Sequence, residues 1–173
     1  MLRSMNPAKI CKQVLGADRI KDILGEFTSP QIKAVLKEGG VKVKLPGGYV
    51  SQQKRRALWT ERIMSVIDTD IEEAAAELLQ QWLLNHRRQM LIDLLDHLGV
   101  KHRQGETDES FLVSHSVEKL REGATWLLTR HRRDEAVAYL RYIAHQQRAM
   151  AFDAWDGLDP LAPADDTSEA PTE

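Results

Sequence analysis

The chain has 173 residues, of which 42% are hydrophobic, 29% are charged and 6% are aromatic, and its formal net charge is -2. This length suits one domain, or two small domains that share a core. The single cysteine, Cys11, excludes a disulfide framework and any zinc site built from several cysteines. No apolar run approaches the roughly 18 residues of a membrane span, and the first residues contain no apolar run of the secretory type. We therefore expect a cytoplasmic, helix-rich protein without a membrane segment.

Charge is distributed unevenly along the chain. Residues 1–62 contain 13 Lys and Arg against 5 Asp and Glu, residues 63–152 contain 11 against 14, and residues 153–173 contain 0 against 7. Such asymmetry indicates an anion-binding segment and an acidic tail. The alternative is that the lysines only keep the faces of short helices solvated.

The first forty residues predict three short helices, each with a start signal and a glycine at its end. The signals, in chain order, are Asn6-Pro7 and Gly16, Asp18 and Gly25, and Ser29-Pro30 and Gly39-Gly40. Residues 41–50 differ, because apolar and basic residues alternate in VKVK, which is typical of a strand. Since a turn sequence, LPGGY, follows, this segment forms either a small hairpin or an extended loop.

Longer helices are predicted from Ser51 onward. Apolar residues recur at helical spacing over residues 70–98, after a predicted capping box at Thr69–Glu72. This stretch forms either one long helix or two helices with a break near Asn85-His86. Two further helices are expected to begin at Ser116 and Asp134.

The predicted fold is therefore all-α. It has a compact cluster of short N-terminal helices, then an antiparallel bundle of longer helices and a disordered acidic C-terminal tail. The predicted divisions are a basic short-helix module over residues 1–67, a helical bundle over residues 68–151 and the acidic tail over residues 152–173.

Two similar stretches, WLLNHRR at 82–88 and WLLTRHRR at 126–133, each precede a helical run. They reflect either a repeated helix–junction–helix unit or chance in a chain rich in Leu and Arg. The arginines at these junctions either cap the preceding helices or meet in space and bind a phosphate or a carboxylate.

Residues 32–63 resemble the SAP-like helix–extended loop–helix modules. Their first helix and turn follow the pattern LK-x-x-LK-x-x-G-[LI], and their second helix ends in L-x-x-R-L. The matching residues are Ile32, Lys33, Leu36, Lys37, Gly40 and Val41 for the first pattern, and Trp59, Arg62 and Ile63 for the second. The loop over residues 42–53 is several residues longer than in the family, and its LPGG is atypical.

The resemblance implies binding to DNA, occasionally to RNA, through the basic second helix and the helix starts. By this resemblance Lys54, Arg55, Arg56 and Arg62 would face phosphates. Whatever the family, five basic residues lie between Lys42 and Arg56 without an acid among them. Tyr49 and Trp59 are interleaved with them. The candidate nucleic-acid-binding residues are Lys42, Lys44, Lys54, Arg55, Arg56 and Arg62.

These basic residues would bind a phosphate backbone, with a steep salt dependence, if they share one face. The alternative is that Trp59 belongs to the core, as its helical spacing with Ile63 favours, and that the lysines are only solvated.

The start of the tail places large apolar residues at a spacing of three among acids. These candidate partner-binding residues are Phe152, Trp155, Leu158 and Leu161. Acidic segments with spaced apolar residues often dock into grooves on protein partners. The alternatives are that this segment packs on its own domain, or that the acidic tail lies on the basic segment and competes with an anionic ligand.

No motif for catalysis occurs in the sequence: there is no Walker loop, Rossmann glycine pattern, nucleophile elbow or HExxH. Asp93 and His97 lie one helical turn apart, but two residues do not make a metal site without ligands from elsewhere. We predict no catalytic residue, metal or cofactor. The predicted function is a non-enzymatic nucleic-acid-associated protein, with DNA favoured over RNA. The alternative is a helical adaptor or assembly protein that contacts only proteins.

Overall fold

The computed structural model describes residues 5–147, and within them the chain forms helices and no strand. The helices are α1 (Pro7–Lys9), which continues as a π-helical segment (Ile10–Leu15), α2 (Gly16–Glu26), α3 (Ser29–Glu38), α4 (Gln52–Asp68), α5 (Glu72–His86), α6 (Arg88–Leu98), α7 (Phe111–Ser114), α8 (Val117–Arg130) and α9 (Arg133–Gln146). The prediction of an all-α fold is confirmed. The acidic tail and its four candidate residues, Phe152, Trp155, Leu158 and Leu161, lie outside the described residues.

Several helices begin at the polar residues that the sequence indicates. The side chains of Asn6, Ser51 and Ser116 each accept a hydrogen bond from the backbone N–H three residues later. Such a bond satisfies one of the N–H groups that the first turn of a helix leaves without a partner. The cap of α3 lies one residue earlier than predicted, at Thr28, which forms a capping box with Gln31.

Three predicted starts are wrong. Asp134 does not cap α9, which begins at Arg133 after Arg132 and has no side-chain cap. The Thr69 hydroxyl donates to the Val66 carbonyl at 2.9 Å and so belongs to the end of α4, while α5 begins after Ile71 without a side-chain cap. α2 begins at Gly16 rather than at Asp18, directly after the π-helical segment. Gly16, between the π-helical segment and α2, has a φ of +79°. A residue with a side chain rarely adopts this conformation.

α5 lies at the centre of the fold and packs against α1, α3, α4 and α6. Its Leu78, Leu79 and Trp82 are completely buried, and each such side chain contributes roughly 1.5–3 kcal/mol of hydrophobic stabilisation. α9 returns to pack on the π-helical segment near the N-terminus. One hydrophobic cluster therefore includes residues from both sides of the predicted boundary at residue 67, and the boundary itself stays a prediction.

Residues 70–98 form two helices rather than one. The Arg87 backbone leaves the helical region with φ -129°, and its N–H donates to the carbonyls of Trp82 and Leu83. α6 then begins at Arg88. The break lies within two residues of the predicted position, and it turns the Arg87 side chain toward α2 and α9, where its partners are.

The end of α3 determines where the segment that follows it lies. Gly40, at φ +61°, and Val41 donate their N–H groups to the carbonyls of Lys37 and Leu36, which is a Schellman motif. A Cβ atom on Gly39 would lie only 2.6 Å from the Cβ atom of Ala74 in α5. A glycine is therefore required at 39 for α3 to approach α5 this closely.

Residues 41–46 continue in an irregular connection that has no partner strand among residues 5–147. The side chains nevertheless alternate, because Val41 and Val43 pack against the core while Lys42 and Lys44 are exposed. Of the two predicted alternatives, the hairpin is wrong and the loop is correct. The VKVK pattern therefore corresponds to a loop with one apolar side and one basic side.

Candidate nucleic-acid interface

The structural unit formed by α3, the loop that follows it and α4 contains most of the basic residues of the N-terminal third. Residues 29–68 include eight Lys and Arg and three acids, Glu38, Glu61 and Asp68. α3 packs against both α4 and α5, so the unit is held on the core from below. The charged side chains of this unit therefore sum to a net positive charge.

Four of the six predicted residues are exposed: Lys42, Lys44, Lys54 and Arg62. None of their side chains forms a hydrogen bond or an ion pair with another residue of the described part of the chain. A cation that has no partner within the fold keeps its full charge available to an anionic ligand. These four side chains are therefore accessible to an anionic ligand.

α3 adds two cations that are not among the six predicted nucleic-acid-binding residues and belong to the SAP-like pattern. Lys33 and Lys37 are exposed and lie one turn apart on α3. The Lys33 ammonium lies 5.3 Å from the centre of the Trp59 ring, and Arg62 follows Trp59 by one turn on α4. The signal that would have found them is their i, i+4 spacing on the polar face of a helix.

We refer to the exposed cations of this unit as the basic surface. Its members are Lys33, Lys37, Lys42, Lys44, Lys54 and Arg62. Trp59 itself is partly buried and packs against the core. For Trp59 the core alternative is therefore correct, and its ring supports Lys33 through a cation–π contact.

Arg56, which was also predicted, is occupied inside the fold. Its guanidinium donates to the Leu24 carbonyl at 2.9 Å, to the Gly25 carbonyl at 3.2 Å and to the Phe27 carbonyl. These groups lie at the C-terminal end of α2, where carbonyls lack helical partners. Arg56 ties α4 to α2, so the basic surface is defined without it.

Arg55 lies between these two cases. It is half-buried, it donates to the Val50 carbonyl at a long 3.4 Å, and its Nε has no hydrogen-bond partner among the described residues. Its charge adds to the field at the start of α4, although its guanidinium is less accessible than the side chains of the basic surface.

The first turn of α4 lacks an acid, as do the first turns of α3 and α6. The N-terminal end of a helix carries a partial positive charge, which acidic side chains normally balance. α5, α8 and α9 follow this rule with acids in their first turns. α4 has no acid there and instead carries Lys54 and Arg55. The cations and the helix dipole therefore combine into one uncompensated positive region.

The loop before α4 presents one aromatic side chain to solvent. Tyr49 is 96% exposed, the highest value among the large apolar and aromatic residues of the described chain. It follows Gly47 and Gly48, which have no side chains to cover its ring. Gly48 has a φ of +87°, a conformation that favours glycine. Tyr49 is thus held on the basic unit without contributing to the core.

A second group of charges lies inside the fold, and we call Arg19, Glu26, Arg87 and Glu135 the ionic cluster. Arg87 donates to both carboxylate oxygens of Glu26 at 3.0 Å and to Glu135 at 2.9 Å. Arg19 donates to the other oxygen of Glu135. Glu135 is only 5% exposed, and these bonds join α2, the α5–α6 junction and α9.

At the first junction one arginine caps a helix and the other binds carboxylates, while a shared anion site for the arginines of both junctions stays a prediction. Arg87 binds carboxylates, and these come from its own chain. Arg88 donates from Nε to the Leu84 carbonyl at 2.8 Å, which caps α5. At the second junction Arg132 pairs with Asp134 at 2.9 Å. Helix–junction–helix pairs therefore stand at both sites, while an internal duplication stays a prediction.

The histidines and the cysteine have structural surroundings. Asp93 pairs with His131 at 2.7 Å, and His97 stacks on Trp126, so Asp93 and His97 do not converge on a shared point. Within residues 5–147 no group of three or more His, Cys, Asp or Glu side chains is placed to hold a metal ion. Burial raises the pKa of the Cys11 thiol to about 12, which leaves it without the thiolate that reactivity requires.

An open cavity of about 620 Å³ lies away from the basic surface, between α5, the connection before α7 and the end of α9. Tyr139, Tyr142 and several aliphatic side chains line it, and its rim carries Glu106, Asp108 and Glu109. These carboxylates would repel a phosphate backbone, so the cavity is not part of the candidate interface.

Comparison with known proteins gives no relative for this chain: no protein-family model, no curated protein and no solved structure matches it. Among the described helices, none combines the length and the apolar character needed to cross a membrane.

Proposed function

We propose that the protein is a non-enzymatic nucleic-acid-binding protein that contacts the phosphate backbone through its basic surface. The observation that carries this proposal is the absence of side-chain partners at five of its six members, Lys37, Lys42, Lys44, Lys54 and Arg62. The sixth, Lys33, contacts only a ring. The cations of this unit outnumber its acids, and an excess of exposed cations attracts polyanions; each neutralised phosphate releases counterions.

The shape of the unit supports the same proposal. Val41 and Val43 pack against the core while Lys42 and Lys44 are exposed, so both cations lie on the solvent side of the loop. The uncompensated start of α4 adds backbone N–H groups and a dipole of the sign that favours phosphate. The SAP-like resemblance, from which the loop between α3 and α4 departs in length, stays a prediction.

This function is consistent with the cytoplasmic location expected from the sequence. We keep DNA as the favoured ligand because the SAP-like resemblance favours it. The alternative of a protein-only adaptor also stays a prediction. In the described residues, Val113 and Val117 are exposed, but isolated exposed apolar residues are common on soluble proteins and do not define a docking surface.

The test is the binding of fluorescent oligonucleotides, as duplex and as single strand, to the full chain at low salt. Replacing three exposed lysines of the basic surface, with Lys42→Ala, Lys44→Ala and Lys54→Ala combined, is expected to weaken binding by at least about tenfold. The fold should be unaffected because these side chains make no contacts that stabilise it.

The matched control removes the same charge from other surfaces. Lys21, Lys101 and Lys119 are also exposed, and the combined Lys21→Ala, Lys101→Ala and Lys119→Ala variant has the same net charge as the first. It is expected to bind nearly as tightly as the wild type. Equal losses of affinity in the two variants would show that binding depends on total charge rather than on the basic surface. Absence of binding by the wild type would overturn the proposal.

A further inference from the structure

We infer that the basic surface binds a single-stranded nucleic acid, with the Tyr49 ring as a platform on which one base stacks. This inference rests on the proposed function and specifies its ligand. It is carried by the position of Tyr49, which is almost fully exposed within the basic loop, and by the charge of the face that α4 presents.

Tyr49 has the surroundings of a ligand-binding aromatic. An exposed tyrosine alone carries little information, because soluble proteins expose much apolar surface. Here the ring is flanked along the chain by the exposed Lys44 and Lys54, each five residues away. The ring is 96% exposed, so its faces are accessible to a base. Single-strand binding combines these two elements, cations for the backbone and an aromatic side chain for the bases.

The exposed face of α4 argues against duplex recognition by insertion of this helix into a groove. Glu61 lies seven residues after Lys54 and therefore on the same face of α4, and it is exposed. A helix lying in the major groove would bring this carboxylate close to the phosphates on either side. The loop before α4 and the first part of α4 contain no acid from Val41 to Thr60, so a ligand bound there avoids this repulsion.

Stacking on Tyr49 also differs between the two ligands. The faces of bases in a duplex are covered by their neighbours, and exposing one requires unstacking. In a single strand the faces are accessible, and every base has one, so the contact tolerates many sequences. The same chemistry applies to single-stranded DNA and RNA, and the experiment separates these sources.

The test compares the wild type with Tyr49→Ala and Tyr49→Phe, as full chains, on three ligands. These are oligomers of thymidylate and of uridylate of about 12 nucleotides, and a DNA duplex of the same length. Tyr49→Ala is expected to weaken binding to one or both single strands by about fivefold to a hundredfold, and to the duplex by less than about twofold. Tyr49→Phe retains the ring and should bind like the wild type.

Val113→Ala is the matched control, because Val113 is an apolar side chain that is 76% exposed far along the chain from the basic surface. It should leave binding to all three ligands unchanged. Circular dichroism checks that each variant is folded. The single strand that loses the most affinity in Tyr49→Ala identifies the favoured nucleic acid.

An equal loss on duplex and single strands, no loss in Tyr49→Ala, or no recovery in Tyr49→Phe would overturn the inference. Salt-sensitive binding by the wild type would still support the proposed function in each of these cases. Absence of wild-type binding to all three ligands at low salt would overturn the proposed function itself.

Discussion

The first turns of α4 and α9 carry opposite charges, and the surroundings of the two charges differ. After Arg133, the first turn of α9 contains Asp134 and Glu135, whose charges suit the helix dipole. Both carboxylates are bonded to arginines, Glu135 to Arg19 and Arg87 in the ionic cluster, and Asp134 to Arg132. The acidic side chains at this helix start are therefore paired with arginines within the fold.

α4 begins with cations, which the helix dipole disfavours. Arg56 is used in the fold, where it binds the carbonyls at the end of α2, but Lys54 has no side-chain partner in the described chain. The difference teaches that charge count alone does not locate a binding surface. What matters is whether a charged side chain already has a partner within the protein.

The largest expected effect comes from breaking the ionic cluster at α9. Glu135→Ala would leave Arg19 and Arg87 without a shared, buried carboxylate, and removing one partner of a buried ion pair typically costs about 3–5 kcal/mol. Urea unfolding measures this free energy. Glu118→Ala, at the exposed start of α8, is the control and should cost only about 0.3–1 kcal/mol. Equal effects of the two would contradict the assigned role of the cluster.

A smaller difference in the free energy of unfolding is expected between substitutions of Arg56 and Lys54, which both lie near the start of α4. Arg56→Ala removes hydrogen bonds from a charged donor to the end of α2 and should lower the free energy of unfolding by about 1.5–3 kcal/mol. Lys54→Ala removes a side chain without contacts and should change it by less than about 0.5 kcal/mol. Thermal or urea unfolding compares them directly. The division between structural and available cations fails if Lys54→Ala is the more damaging change.

The smallest effect is a pH dependence at the start of α9. Burial alone would raise the pKa of Asp134, but the hydrogen bonds and charge of Arg132, with smaller contributions from the Glu135 backbone and Arg19, together hold the pKa below its usual range. A depressed carboxyl pKa stabilises the fold above the unfolded pKa of about 3.9, and this contribution is lost as the pH falls through the folded pKa. Asp134→Asn should therefore lose less stability than the wild type on acidification.

Urea unfolding of both proteins at about pH 7 and about pH 3 measures that difference. A variant that loses as much stability on acidification as the wild type would show that the Asp134–Arg132 pair does not stabilise the start of α9.

Local signals in the sequence predicted much of the fold. Asn6, Ser51 and Ser116 cap helices because their side chains reach backbone groups only three residues away. The alternation in VKVK correctly gave one apolar and one basic side, but it did not show whether a partner strand exists. A pattern of period two describes the chain's own faces, whereas pairing depends on another segment.

The same limit explains what sequence reasoning missed at the candidate site. Arg56 and Lys54 have the same charge and nearly the same local sequence, yet the partners of Arg56 lie 29–32 positions earlier in the chain. The carboxylate partners of Arg87 lie 61 positions before it and 48 positions after it. Only the tertiary fold shows which cations these contacts occupy.

The central claim, that the basic surface binds a nucleic-acid backbone, is tested most directly by the salt dependence of binding. The association constant of the full chain for a single-stranded oligonucleotide is measured over a range of salt concentrations. If four to six side chains of the basic surface each neutralise one phosphate, the logarithm of that constant should fall with the logarithm of salt with a slope of about -3 to -4. Lys54→Ala should make the slope less steep by the amount that one phosphate contact contributes, and Arg56→Ala should leave the slope unchanged. A slope near zero, or no binding at low salt, would contradict the account.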